Sequence, residues 1–165
     1  MTARPDPSPT GGGGAGWACR LGLGLMLLLP GGPGVAQVAP HSVTGDAIEA
    51  PLDGLAGDAA RGAAVTRNRE TANCLICHAI PDTREQFMGD IGPPLAGVGS
   101  RLSQGQIRLR LVDPTRLNPG AVMPPYHRIA GLTRVDERYR GQPVLTAQEI
   151  EDVVAFLATL KDRAE

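Results

Sequence analysis

Cys74-Leu75-Ile76-Cys77-His78 is the stretch on which the interpretation of the whole chain depends. Two thiols three positions apart, followed directly by an imidazole, form the pattern that attaches a c-type haem to a polypeptide. Each thiol adds across one vinyl group of the porphyrin to form a thioether, and His78 is close enough to bind the iron as its proximal ligand. The pentapeptide therefore predicts one haem c, held covalently through Cys74 and Cys77.

Two other kinds of site also use closely spaced cysteines. A structural zinc site needs four ligands, usually including a second Cys or His pair, but Cys19 lies in a predicted leader, and His41 and His127 stand alone. A thioredoxin-like redox pair is expected in a βαβ setting, whereas the flanking sequence favours helix and loop. A metal site, a redox pair and a chance match remain the alternatives to haem attachment.

The first 36 residues have the organisation of a secretory signal peptide. Arg4 and Arg20 flank a Gly- and Pro-rich stretch, residues 21–29 form an apolar core, and small residues follow as far as Ala36. The core is far shorter than the ~20 residues that span a bilayer, so no membrane span is predicted in the mature chain, with an uncleaved anchor as the alternative. Because c-type haem is attached outside the cytoplasm, the leader and the haem motif both predict a periplasmic protein.

The charge balance argues against a nucleic-acid partner. Without Arg4, Arg20 and Asp6, the 16 Lys and Arg and the 17 Asp and Glu of the chain become 14 and 16, a formal charge of −2. A net negative charge is unfavourable beside phosphates or an anionic membrane surface.

Aromatic residues are also few, so the protein has little bulky side-chain surface for a core. A porphyrin would fill the space that small side chains leave.

The stretch before the haem motif divides into an arm and a helix. Residues 37–57 show no sustained period and are predicted as an extended arm ahead of a domain at 58–165. Disorder, a strap on a partner and a strap on the domain's own surface all fit the arm. Asp58 is expected to cap a first helix that runs to about Asn68, and Gly62 within it indicates close approach by another element.

A proline-rich segment follows the haem motif. Residues 92–101 contain two prolines and no helical period, which predicts a rigid, extended loop. Such a loop could place a backbone carbonyl against the Nδ1 hydrogen of His78 and fix that ring, with an ordinary surface turn as the alternative. Ser103 is expected to start a short helix over 104–112, which ends at Asp113-Pro114.

Met123 is the favoured sixth ligand of the iron. It lies 45 residues after His78, far enough along the chain to reach the opposite face of a porphyrin. Its backbone freedom is reduced by prolines at 119, 124 and 125. His127 and Met88 are the alternatives, and a methionine is often only a core filler. A methionine and a histidine together give a higher reduction potential than two imidazoles.

A capping box predicts the start of the last helix, with Thr146 as N-cap and Glu149 at the third helical position. The apolar residues that follow recur at helical spacing: Ile150, Val153, Val154, Leu157 and Leu160. Glu151 and Asp152 lie off that stripe. Phe156 is expected to pack into the notch that the glycine of the first helix leaves.

The order of these parts resembles that of a class I cytochrome c. A helix, the haem motif, a Gly-Pro loop, a methionine loop and a terminal helix follow one another along the chain. The resemblance implies a single all-α domain with the haem in its core and with the N- and C-terminal helices packed across each other. It also implies that the carbonyl of Pro93 is the partner of His78 and that Arg101 lies near a haem propionate.

Three stretches resemble the SoxX family in particular. They are Gly89-Asp90-Ile91-Gly92-Pro93-Pro94-Leu95, the run from Asp113 through Met123 to Tyr126, and residues 141–154. SoxX is the monohaem cytochrome subunit of the periplasmic SoxAX complex, an L-cysteine S-thiosulfotransferase that oxidatively couples thiosulfate to a cysteine of the carrier protein SoxYZ. The similarity covers about residues 58–160.

This resemblance implies a role in electron transfer without a catalytic site in the chain itself. The implied partners are a SoxA-like cytochrome subunit in a heterodimer, a SoxYZ-like thiol carrier and a small soluble cytochrome c as electron acceptor. No nucleophile, base and orienting group occur at recognisable spacing. An independent soluble cytochrome c that shuttles electrons between respiratory complexes would have the same haem ligands. A peroxidase or oxygen-binding protein would need an open iron position.

Overall fold

The computed structural model describes residues 38–162, and its regular elements are helical. The α-helices are α1 (Ala59–Arg67), α2 (Val98–Arg101), α3 (Gln104–Val112) and α4 (Ala147–Thr159). Single 3-10 turns lie at Leu52–Gly54, Cys74–Ile76, Pro114–Arg116 and Glu137–Tyr139. Within 38–162 there is no strand and no helix that could cross a membrane. The expected all-α class is confirmed, and the leader predicted at 1–36 lies outside the described residues.

The three longer helices begin at side-chain caps. The carboxylate of Asp58 accepts the amide of Arg61 at the start of α1, and Thr146 and Glu149 form the predicted capping box of α4. A second capping box, between Ser103 and Gln106, opens α3. Because a cap depends only on residues within one turn, these helix starts could be located from the sequence.

Helix α1 crosses α4 at a glycine. A Cβ atom at Gly62 would overlap the backbone carbonyl of Asp152, and the next neighbour is the Cβ atom of Phe156. Phe156 therefore lies beside this glycine, but the closest contact is made by the backbone of α4. Gly57 and Gly99 touch the same helix, against the carbonyls of Glu151 and Ala158.

The two acidic residues off the apolar stripe of α4 are buried. Arg108 of α3 binds the Glu151 carboxylate through two hydrogen bonds of 2.7 and 2.8 Å, and both side chains are at most 3% exposed. Asp152 accepts hydrogen bonds of 2.7 and 2.8 Å from Arg61 of α1. Burial acts to raise the pKa of Asp152, but the hydrogen bonds to its carboxylate outweigh burial and lower the pKa. The polar side of α4 therefore joins α4 to both neighbouring helices.

The arm lies on the domain's own surface and contributes to its core. Ala39, Ile48 and Leu52 are at most 2% exposed and pack with the residues of α3 and α4. The Arg108–Glu151 pair also binds the arm, because Arg108 donates to the Ile48 carbonyl at 2.6 Å and Glu151 accepts the Leu52 amide at 2.9 Å. One buried ion pair thus connects three segments that are far apart in sequence.

The predicted loop at 92–101 is only partly extended, because its last four residues form α2. Gly97 has a φ of 68°, which turns the chain into this helix. The Gly99 amide then donates to the Leu160 carbonyl at 3.0 Å, so α2 is held against the end of α4. A four-residue helix is too short to produce a hydrophobic period, and its stabilising contact comes from a residue far along the chain.

Candidate haem-binding site

A cavity of about 710 Å³ lies between the haem motif and the methionine loop, residues 118–126. Its walls come from the Cys74–Ile76 turn and His78, the loop from Ile91 to Leu95, helix α3 and residues 118–124, with Val153 and Leu157 of α4 also in the lining. Most of these residues are apolar, and the volume falls within the ~300–1,000 Å³ usual for cofactor sites.

His78 is held at one wall of this cavity. Its Nδ1 atom lies 2.7 Å from the carbonyl oxygen of Pro93. Since that oxygen can only accept, Nδ1 carries the hydrogen and Nε2 is left free to bind a metal. A Cβ atom at Gly92 would overlap the imidazole ring, so the loop backbone lies directly against it. The structure therefore brings His78 and Pro93 together and fixes the orientation of the ring.

Backbone hydrogen bonds connect two segments of this wall. Three hydrogen bonds of 2.8 Å join residues 89–95 to residues 75–79: the Gly89 amide donates to the Leu75 carbonyl, Gly92 to Cys77, and Leu95 to Ala79. The three donors are spaced three residues apart, and the three acceptors are spaced two residues apart. The loop therefore follows the motif closely and places the Pro93 carbonyl where His78 can reach it.

Both cysteines of the motif line the cavity. Burial raises the pKa of the Cys74 thiol to about 11. A redox-active cysteine pair has a lowered thiol pKa, so this environment does not favour the redox alternative. Among the described residues no group of three or more His, Cys, Asp and Glu side chains could hold a metal ion, so a zinc site would find no further ligands there.

Of the three candidates for the sixth ligand, Met123 lines the cavity. His127 is fully buried elsewhere, where its Nε2 accepts the Ala39 amide at 2.9 Å and its Nδ1 donates to the Leu145 carbonyl at 2.8 Å. Both ring nitrogens of His127 are thus in use. The sulfur of Met88 lies 3.3 Å from the Ile80 amide, outside the lining.

Comparison with known proteins places this arrangement in a family. The sequence profile described as cytochrome c matches residues 59–161. The chain belongs to the cytochrome c family. The crystal structure of SoxXA from P. pantotrophus contains a similar chain, at 34% identity and a TM-score of 0.68, with 74% of this chain and 95% of that chain covered. No curated protein matches the chain. These findings confirm the class I cytochrome c fold and the resemblance to the SoxX family.

Two arginines are the charged residues of the cavity lining in this cytochrome c. Arg101 of α2 donates to the carbonyls of Ala96 at 2.7 Å and Pro94 at 3.1 Å. Arg110 of α3 was not singled out from the sequence, because nothing local distinguishes it from Arg108, two positions earlier. Residues two apart on a helix do not share a face, so Arg108 is buried against Glu151 whereas Arg110 borders the cavity.

These residues fit a haem c. Two thiols and an imidazole with a free Nε2 lie at one wall, a thioether lies in the methionine loop, and the remaining walls are largely apolar. The charged residues of the lining are both cations, which suits a flat apolar molecule that carries two carboxylates. As a cytochrome c, the chain is a haem c protein.

Tyr126 is a further residue of the site, and in the sequence it stands out only as the end of a stretch that resembles SoxX. It lines the cavity and is 7% exposed, and its hydroxyl donates to the Ala72 carbonyl at 3.0 Å. Burial raises the pKa of this phenol, so the hydroxyl remains a donor at neutral pH. The bond joins the end of the methionine loop to the residue two positions before the haem motif.

Proposed function

We propose that this cytochrome c is the monohaem electron-transfer subunit of a periplasmic SoxAX-type complex. The observation that carries the proposal is the 34% identity over 95% of a chain in the SoxXA structure. Such similarity over nearly a whole chain is more specific than the haem motif, which many cytochromes share. The complex is an L-cysteine S-thiosulfotransferase, which oxidatively couples thiosulfate to a cysteine of a SoxYZ-like carrier.

The haem would be held by four residues of this chain. Cys74 and Cys77 would provide the thioether bonds, and His78 and Met123 would bind the iron. When bound, the haem supplies reversible one-electron transfer at the iron. The Pro93 carbonyl orients His78 through the 2.7 Å contact. Arg101, which lines the cavity, would offer a positive charge to the haem carboxylates.

The thiosulfate chemistry itself would take place on a partner. A SoxA-like subunit in a heterodimer with this chain would hold the reacting sulfur, and a SoxYZ-like carrier would supply the accepting cysteine. This chain would receive the released electrons and pass them to a small soluble cytochrome c. It contributes no catalytic residue in this scheme, and its predicted leader at 1–36 would direct it to the periplasm.

Affinity purification from the periplasm of thiosulfate-grown cells tests the assignment of the partner. We expect the tagged chain to copurify with a second c-type cytochrome in equal amounts. A tagged unrelated periplasmic protein is the control for non-specific capture. Recovery of the chain as a lone monomer would favour the independent soluble cytochrome c instead.

Carbon monoxide tests the remaining alternative, a peroxidase or an oxygen-binding haem protein. With Met123 on the iron, the reduced protein should not bind carbon monoxide at neutral pH. A pyridine haemochrome assay of the same sample counts the covalent haem, and we expect one per chain. Stoichiometric carbon monoxide binding by the reduced, native protein would instead indicate an open iron position.

A further inference from the structure

Arg110 is a cationic residue at the proposed haem cavity. It lines the cavity from α3, and its side chain is 34% exposed. Its guanidinium donates to the Gln106 carbonyl one turn earlier in the helix, at 2.9 Å. Among residues 38–162, no acidic side chain belongs to the lining. The contrast with Arg108 is clear, because Glu151 binds Arg108 bidentately and cancels its charge.

In the part of the chain that the structure describes, the acidic group nearest to Arg110 belongs to the arm. Asp46 lies 4.0 Å from the Arg110 guanidinium, and its carboxylate is held there by a 2.8 Å hydrogen bond from the Gln106 side chain. Asp46 is 53% exposed and does not line the cavity. The arm therefore places a negative charge beside an arginine that lines the haem site.

We propose that Arg110 raises the reduction potential of the bound haem and that Asp46 of the arm lowers it by partly neutralising Arg110. The proposal rests on the proposed haem site. Reduction adds one negative charge at the iron, so a fixed cation beside the cavity stabilises the reduced state more than the oxidised one. A half-buried charge is less screened by water and salt than an exposed one, which strengthens its effect.

The test is the midpoint potential of the purified holoprotein, measured by titration in an optical electrochemical cell. Arg110→Gln should lower the midpoint potential. Arg110→Lys keeps the positive charge, so its midpoint potential should stay close to that of the unmodified protein. Asp46→Asn keeps a group that can accept from Gln106 but removes the negative charge, and it should raise the potential. A shift of about 59 mV would correspond to a tenfold change in the ratio of reduced to oxidised protein.

Arg116→Gln is the matched control. Arg116 is an exposed arginine in the Pro114–Arg116 turn and does not line the cavity, and within residues 38–162 it has no ion pair. Its replacement should leave the potential unchanged. A general loosening of the fold would move the potentials of Arg110→Gln and Asp46→Asn in the same direction. Opposite shifts therefore separate the electrostatic role from a structural one.

Two results would overturn the proposal: an unchanged or raised potential in Arg110→Gln, or an unchanged or lowered potential in Asp46→Asn. If Arg110→Gln does not fold, the half-exposed Asp46→Asn decides by itself. The pyridine haemochrome and the near-infrared sulfur-to-iron band of each sample are recorded alongside. If both are normal but the potentials do not move, only this proposal fails, whereas a missing haemochrome in the unmodified protein would refute the proposed function.

Discussion

The two walls that face each other across the cavity are stabilised in different ways. The histidine wall, residues 74–95, is held by three backbone hydrogen bonds, the His78–Pro93 contact and the close packing of Gly92. In the methionine wall, residues 113–126, no hydrogen bond of the described structure involves the backbone of residues 122–125. Prolines restrict that backbone instead. One proposed ligand is thus fixed by contacts, whereas the other is fixed by limited chain freedom.

The largest difference between the walls is expected when one glycine in each wall is replaced by alanine. In Gly92→Ala the new Cβ atom overlaps the ring of His78. Overpacking at such a site should lower the free energy of unfolding by about 3 kcal/mol and reduce the yield of holoprotein. Chemical denaturation and the pyridine haemochrome assay measure the two effects.

Gly120→Ala is the matched change on the methionine wall. The nearest atom to a Cβ there is the Asn118 side-chain oxygen at 3.5 Å, an ordinary contact. We expect stability within about 0.5 kcal/mol of the unmodified protein and a normal haem content. Equal losses in the two variants would show that the walls do not differ in packing.

Met123→Ala should separate the roles of the two walls. The haem should remain covalently attached through the histidine wall, while the near-infrared band of the oxidised protein disappears and the reduction potential falls. The free energy of unfolding should fall by at least about 2 kcal/mol, the low end for methionine truncation. Met88→Ala, which changes a methionine outside the cavity, should leave the band unchanged. A normal band in Met123→Ala would exclude Met123 as the ligand.

Tyr126→Phe tests the direct connection between the walls. The change removes the hydroxyl that donates to the Ala72 carbonyl. We expect the free energy of unfolding to fall by about 1 kcal/mol, the usual net value of such a bond. The control is Tyr139→Phe, because the hydroxyl of Tyr139 makes no hydrogen bond within residues 38–162. A similar effect in both variants would mean that the Tyr126 bond is not specific.

Pro124→Ala should have the smallest effect. Restoring backbone freedom next to Met123 should cost about 0.5 kcal/mol, chiefly by raising the entropy of the unfolded chain. The near-infrared band should keep its intensity at 25 °C but disappear at a slightly lower temperature on heating. If the band is already lost at 25 °C, Pro124 has a direct role in holding the sulfur.

Local features were predictable from the sequence, whereas features that depend on distant residues were not. The Asp58 and Thr146 caps each act within one turn, and the haem motif is contained in five residues. The order of the elements was also sufficient to identify the fold. The position of the arm was left open by the sequence, because its sparse apolar residues are buried only by contact with α3 and α4.

The acidic residues of α4 show the same limit. Glu151 and Asp152 are off the apolar stripe, and their burial depends on Arg108 and Arg61, which are 43 and 91 residues away. Arg110 is a site residue for a similar reason: only the packing of α3 decides which of its two arginines borders the cavity. Nearby residues in the sequence do not indicate either the Arg108–Glu151 pair or the Arg61–Asp152 pair.

The buried bond between Arg108 and Glu151 has a consequence for how this protein can evolve. Losing either member alone would strand a charge inside the molecule, at a cost of about 3–5 kcal/mol. Exchanging both for apolar residues would avoid the stranded charge but would leave the Ile48 carbonyl and the Leu52 amide without these partners. Lineages that descend from this sequence should therefore retain the two residues as a unit or replace them together, and intermediates with one of them should be rare.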